Sequence, residues 1–167
     1  MAKSIVQLVL TIRNPVAFVK NYVRIHIIFQ NNRTEEFMYK IDTNDFLILF
    51  EPYIDHGAFG DKSIERLRVR VTSYGFSADV TMNVDKKWLT DFAKELNVLY
   101  ENLEGGAELE EYRGHSRIQF SFLTGGHVHI MGTLYDSHEQ ELNFSNSIDQ
   151  TELMEFAKSL YHDLCEV

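Results

Sequence analysis

His127-Val128-His129 is the spacing in this chain closest to a metal motif. On a β-strand, side chains two residues apart share a face, so both imidazoles could reach one ion. The strand register deduced below sets Asp149 near His127, which would complete a set of two histidines and one carboxylate. Three features oppose that reading. Asp149 is needed as a helix cap, the expected neighbours of His129 are Ser121 and Ser147, and both histidines fall on the face turned away from the core. His26, His56, His115 and His138 make no ligand spacing with them. No metal and no cofactor are therefore expected.

A second cluster is acidic. Glu101, Glu104, Glu108, Glu110 and Glu111 follow one another with no base until Arg113. The segment spans the end of a helix, a Gly105-Gly106 break and the strand beyond. Negative charge at a helix C-terminus opposes the helix dipole. A cluster placed against that preference is the candidate partner-binding set, the alternative being a solvated loop. Paired carboxylates could also do acid–base work, but no cleft is implied here. Arg66, Arg68 and Arg70 form a row that could grip a phosphate or carboxylate. An exposed sheet face paired with Asp79 is the favoured reading. The row lacks the aromatic-and-basic alternation of an RNA-binding strand. Cys165, the single cysteine, lies beside His162 near the end of a helix, with nothing evident to activate it. There is no phosphate loop, dinucleotide fingerprint or nucleophile elbow. No catalytic residue is expected.

The elements that must carry these residues are legible as alternations and stripes. Arg66–Val71 and Phe76–Val84 each alternate apolar and polar residues, so each is a half-buried strand. A two-residue turn at Tyr74-Gly75 pairs Leu67 with Met82, Val69 with Val80 and Val71 with Ala78, and sets Arg70 opposite Asp79. Both faces agree on that register. Ile118, Phe120 and Phe122 begin a second antiparallel set. It turns at Thr124-Gly125-Gly126, continues through Val128, Ile130, Gly132 and Leu134, and after a polar loop at 136–140 resumes at Leu142, Phe144 and Ile148. Strands are also expected at 4–12, 23–29 and 34–41. Residues 44–51 fit either a strand or a helix, and 56–61 read as a loop.

Two amphipathic helices follow strands. The first runs from Lys86 to Leu103 with Trp88, Leu89, Phe92, Leu96, Leu99 and Leu103 on its stripe, capped by Asp85 and stopped by Gly105-Gly106. The second runs from Gln150 to Leu164 with Leu153, Phe156, Ala157, Leu160 and Leu164 inward, and Asp149 with Glu152 as a capping-box arrangement. Aligning Asp85 with Asp149 also matches Leu89 with Leu153, Phe92 with Phe156, Ala93 with Ala157 and Leu96 with Leu160. The expected class is α+β: antiparallel sheet from hairpins and meanders with two helices, built as a degenerate strands-then-helix repeat. Residues 1–167 are expected to be one domain, with pseudo-repeat halves 1–104 and 105–167.

Size and charge narrow the function classes. The 167 residues, 44% hydrophobic and 25% charged, have ordinary globular usage. No apolar run approaches the ~20 residues of a membrane span. The first ten residues read as a strand and not a signal peptide. A lone cysteine forbids an intrachain disulfide and fits a reducing cytoplasm. The net charge of −9 is carried by residues 84–167, while residues 1–83 are nearly balanced. Such a field repels nucleic acid and attracts a basic partner, the alternative being that it serves solubility alone.

The C-terminal half also resembles a known family. Phe76-Ser77-Ala78-Asp79-Val80 through Val84-Asp85-Lys86-Lys87-Trp88-Leu89-x-x-Phe92 is similar to the WapI-type immunity proteins of bacterial polymorphic-toxin systems. So are Gly105-Gly106-Ala107-Glu108-Leu109, Gly126-His127-Val128-His129-Ile130-x-Gly132-x-Leu134, and Leu142-x-Phe144 leading to Asp149-Gln150-Thr151-Glu152-Leu153. The similar region covers 66–164. The resemblance implies a non-enzymatic cytoplasmic protein that neutralises one cognate toxin by direct contact, with no active site to carry over. Many such toxins are basic and attack nucleic acids, which agrees with the acidic charge. The expected partner is a basic toxin domain, with no nucleic acid and no membrane. The competing readings are a small metal-dependent hydrolase using His127 and His129, and a homodimeric interaction module.

Overall fold

The hairpin at Tyr74-Gly75 forms with the register its two faces demand. In the computed structural model, β3 (Ile64–Ser73) and β4 (Phe76–Asp85) pair Leu67 with Met82, Val69 with Val80, Val71 with Ala78 and Arg70 with Asp79. The described residues are 38–53, 64–136 and 140–166. The strands expected at 4–12 and 23–29 and the loop at 56–61 lie outside them. The segment 44–51, which fits either a strand or a helix by composition, falls largely in a strand. β2 (Phe46–Tyr53) is fed by β1 (Tyr39–Asp42) and pairs antiparallel with β3, giving a four-stranded sheet in the order β1-β2-β3-β4. Helix α1 (Lys86–Asn102) follows.

The order then recurs. β5 (Gly106–Glu110), β6 (Arg117–Leu123), β7 (His127–Tyr135) and β8 (Glu141–Asp149) form a second antiparallel sheet in sequence order, followed by α2 (Gln150–Cys165). The class is α+β, as expected. Each sheet's last strand ends at an aspartate that caps the helix after it. Asp85 accepts from the Lys87 N–H at 2.7 Å, and Asp149 from the Thr151 N–H at 2.9 Å and its hydroxyl at 2.7 Å. Helix α1 does not stop at the glycines. Leu103 takes the left-handed conformation (φ 55°) and returns its N–H to Leu99, so the chain turns two residues earlier.

One core joins both sheets and both helices. At its centre four phenylalanines contact in a ring: Phe50 from β2, Phe92 from α1, Phe120 from β6 and Phe156 from α2, with centroids 5.2–6.1 Å apart. Leu89, Ala93, Leu96 and their counterparts Leu153, Ala157, Leu160 are all buried beside them. Two expected stripe residues are not in the core. Trp88 and Leu103 sit on the exposed margin of α1, 44% and 42% accessible. Trp88 precedes buried Leu89 by one residue, about 100° round the helix, and its ring stacks on Tyr112. The sheets are also tied by a buried polar bond, in which Asn146 Nδ2 of β8 donates to Ser73 Oγ of β3 at 2.9 Å. Burial makes that pairing obligatory for both groups.

Candidate partner-binding face

The acidic segment is laid out along one edge of the second sheet. Glu101 lies in the last turn of α1 and Glu104 follows the Leu103 cap, both exposed. Alternation on β5 then puts Ala107 and Leu109 into the core and Glu108 and Glu110 on the outer face. β5 is an edge strand, so these carboxylates stand at the margin of the sheet. Glu111 leaves the strand, with its N–H bonded to the Ser116 carbonyl at 2.9 Å.

The five carboxylates are not equivalent. Arg117, opposite Glu110 in the register, bridges Glu108 at 3.2 Å and Glu110 at 3.3 Å. The Gln119 amide also donates to Glu108. Among the described residues, Glu101, Glu104 and Glu111 have no such cationic partner. Two of the five charges are thus partly answered inside the molecule, and three are presented to solvent.

The histidines take the predicted register. His127 stands opposite Asp149, and His129 opposite Ser121 and Ser147, on the outer face of the second sheet. Nε2 of His129 is 2.8 Å from the Ser145 hydroxyl. Asp149 is engaged as the α2 cap, and the bonds from Thr151, with a smaller contribution from His127, hold its carboxyl below the usual carboxylate range. Among the described residues, no three His, Cys, Asp or Glu side chains converge as a metal site. Cys165 is half-buried, with its thiol 3.8 Å from the Thr90 carbonyl, and burial pushes its pKa up, away from thiolate character. His162 bonds Glu166 instead.

Of the arginine row, Arg68 and Arg70 face outward on the first sheet and take part in an ion-pair network. Arg68 donates to both oxygens of Asp79 at 2.8 and 2.7 Å, and Arg70 to both oxygens of Glu51 at 3.0 Å. The Arg68 fork holds the Asp79 carboxyl below its ordinary value. The register sets Arg70, not Arg68, opposite Asp79, so the bidentate pair runs diagonally. A shallow depression beside the β1–β2 turn, lined by Asp42, Thr43, Asn44, Asp45 and Tyr74, holds none of the candidate residues.

One surface feature escaped the sequence reading. Trp88 and Tyr112 stack with centroids 6.5 Å apart while both remain exposed. The contact is set by the β5–β6 loop, whose Tyr112 N–H bonds the Asn83 carbonyl of β4 at 2.8 Å. No local sequence signal places that loop beside α1.

This is a class of two four-stranded antiparallel sheets, each followed by a helix, with an acidic edge on the second sheet. Residues 89–165 match the profile of the Immunity protein WapI-like family, the family that the motifs of the C-terminal half resemble. The match begins at Leu89 and covers α1 through α2, just under half the chain, so the β3–β4 hairpin falls outside it. No curated protein matches the chain. Among solved structures, the crystal structures of Trypanosoma bruciei MRP1/MRP2 are similar at 11% identity and a TM-score of 0.44, covering 79% of this chain and 82% of that one. No described helix is long and apolar enough to cross a membrane.

Proposed function

We propose that the protein is a non-enzymatic binding protein of the immunity type, which neutralises a cognate basic toxin in the cytoplasm by direct contact. The match of residues 89–165 to the WapI-like immunity family carries the reading. Charge supports it. The same residues hold the acidity of the chain, and Glu101, Glu104, Glu108, Glu110 and Glu111 line one exposed edge. A field of that sign steers a cationic surface toward itself and repels phosphates. The site residues act as a docking surface and take part in no covalent step.

Co-expression with a toxin domain encoded immediately upstream tests the reading. Cells carrying both should grow, and cells carrying the toxin domain alone should not. Equal growth inhibition with and without this chain would remove the proposal.

A further inference from the structure

The two sheets share a topology, but their outer faces differ. On the first, Arg68 and Arg70 pair with Glu51 and Asp79 across three strands, with Arg70 Nε left without a hydrogen bond. On the second, charge is confined to the margins: Glu108 and Glu110 with Arg117 on one side, Glu141 and Asp149 at the two ends of β8 on the other. Between them the register sets rows without a carboxylate, lysine or arginine, Ser121–His129–Ser147 and Gln119–Met131–Ser145. Met131 lies in the middle of this face and is 37% exposed. Both helices pack into the core on the opposite side, and no described element covers the outer one.

We propose that this open face, centred on Met131, is the surface on which a basic protein partner sits. The inference rests on the binding-protein reading above and adds where the contact is made. Four carboxylates against one guanidinium give the face a negative rim. One exposed apolar side chain, Met131, among polar neighbours and within a charged rim fits the core-and-rim layout of a protein interface. Serine, asparagine and histidine give adaptable hydrogen bonds and lose little rotamer freedom when covered. Four strands about 4.8 Å apart and five to nine residues long make a face of roughly 400 Å². That is about half of the ~800 Å² each partner contributes to a standard interface. The acidic turn through Glu101 and Glu104 leads directly into β5 and extends the same surface.

Amide NMR of the full chain, titrated with a decalysine peptide at low salt, tests the location. The expected shifts fall on Ser121, His129, Met131 and Ser145, with Arg68 and Thr81 of the first sheet unmoved. Met131→Arg and Ser145→Arg, both at exposed positions, should weaken the peptide about tenfold or more, and Thr81→Arg less than about twofold. The same variants are then co-expressed with the upstream-encoded toxin domain. Loss of protection in Met131→Arg, with an unchanged circular dichroism spectrum, supports the surface. Shifts confined to the first sheet or the helices would overturn it, as would full protection by Met131→Arg, and the immunity reading would stand. Failure of the unaltered chain to protect would instead overturn the immunity reading.

Discussion

Arg117 sets how much of the β5 acidity reaches solvent, because one guanidinium answers both Glu108 and Glu110. The glutamate run was plain in the sequence, but its division into paired and unpaired carboxylates was not. That division depends on the β5–β6 register, which spans a longer loop with a turn at Glu111–Gly114 in place of a two-residue hairpin. Trp88 shows the same limit: one step off the buried stripe, it is placed by a loop distant in sequence. The histidine neighbours were foreseen because alternation on the paired strands, with the three-residue turn between β6 and β7, fixes their pairing. Gly132 is the most constrained glycine. A β-carbon there would lie 2.6 Å from the Arg117 carbonyl and 2.8 Å from the Phe144 ring. Gly132→Ala should lose about 1–3 kcal/mol in urea unfolding, whereas Gly75→Ala, with open space around it, should stay within about 0.5 kcal/mol. Asp149 gives a pH prediction. Its carboxyl is depressed in the folded state by the cap bonds. The cap's contribution is therefore complete above the ordinary carboxylate value of about 3.9. It is lost as pH falls through the lower folded value. The stability gap between the unaltered chain and Asp149→Ala should be full at pH 7 and close in strong acid, as read by denaturant titrations across that range.

Elements were more legible than sites. Each helix has an aspartate cap and an apolar stripe, and those local signals placed both starts correctly. The end of α1 falls within one residue of the expected Leu103, but the turn is made by Leu103, in a backbone conformation usually left to glycine, and not by Gly105-Gly106. Residues 44–51 could not be assigned from periodicity, since Phe46, Ile48, Leu49 and Phe50 are all buried and the alternation is blurred. Nor does alternation say which sheet a strand joins. The division after β4 follows from α1, which carries the chain away before β5 begins. The phenylalanine ring is where the elements depend on one another. Phe156 is 1% exposed and touches Phe50 and Phe120 from different sheets. Phe156→Ala should cost about 3–5 kcal/mol, a large share of the roughly 5–15 kcal/mol typical of a folded domain. Chemical denaturation of the two proteins measures it.

For the whole molecule, sign and distribution of charge matter more than any single pair. Exposed ion pairs such as Arg117 with its two glutamates add little stability, so the acidity is free to serve encounter with a partner. Replacing Glu108, Glu110 and Glu111 by lysine should slow association with a basic toxin domain by about tenfold or more at low ionic strength. It should also flatten the salt dependence of the rate, and leave the unfolding midpoint nearly unchanged. Stopped-flow rates across a salt series read the first two. The central claim is that neutralisation is contact alone, with no bond made or broken in the toxin. Its most direct test is the intact mass and recovered activity of the toxin domain after its complex with this protein is purified and separated in denaturant. The account predicts an unaltered mass and full activity on refolding. A cleaved or covalently modified toxin, or a neutralised toxin that never forms a complex, would contradict it.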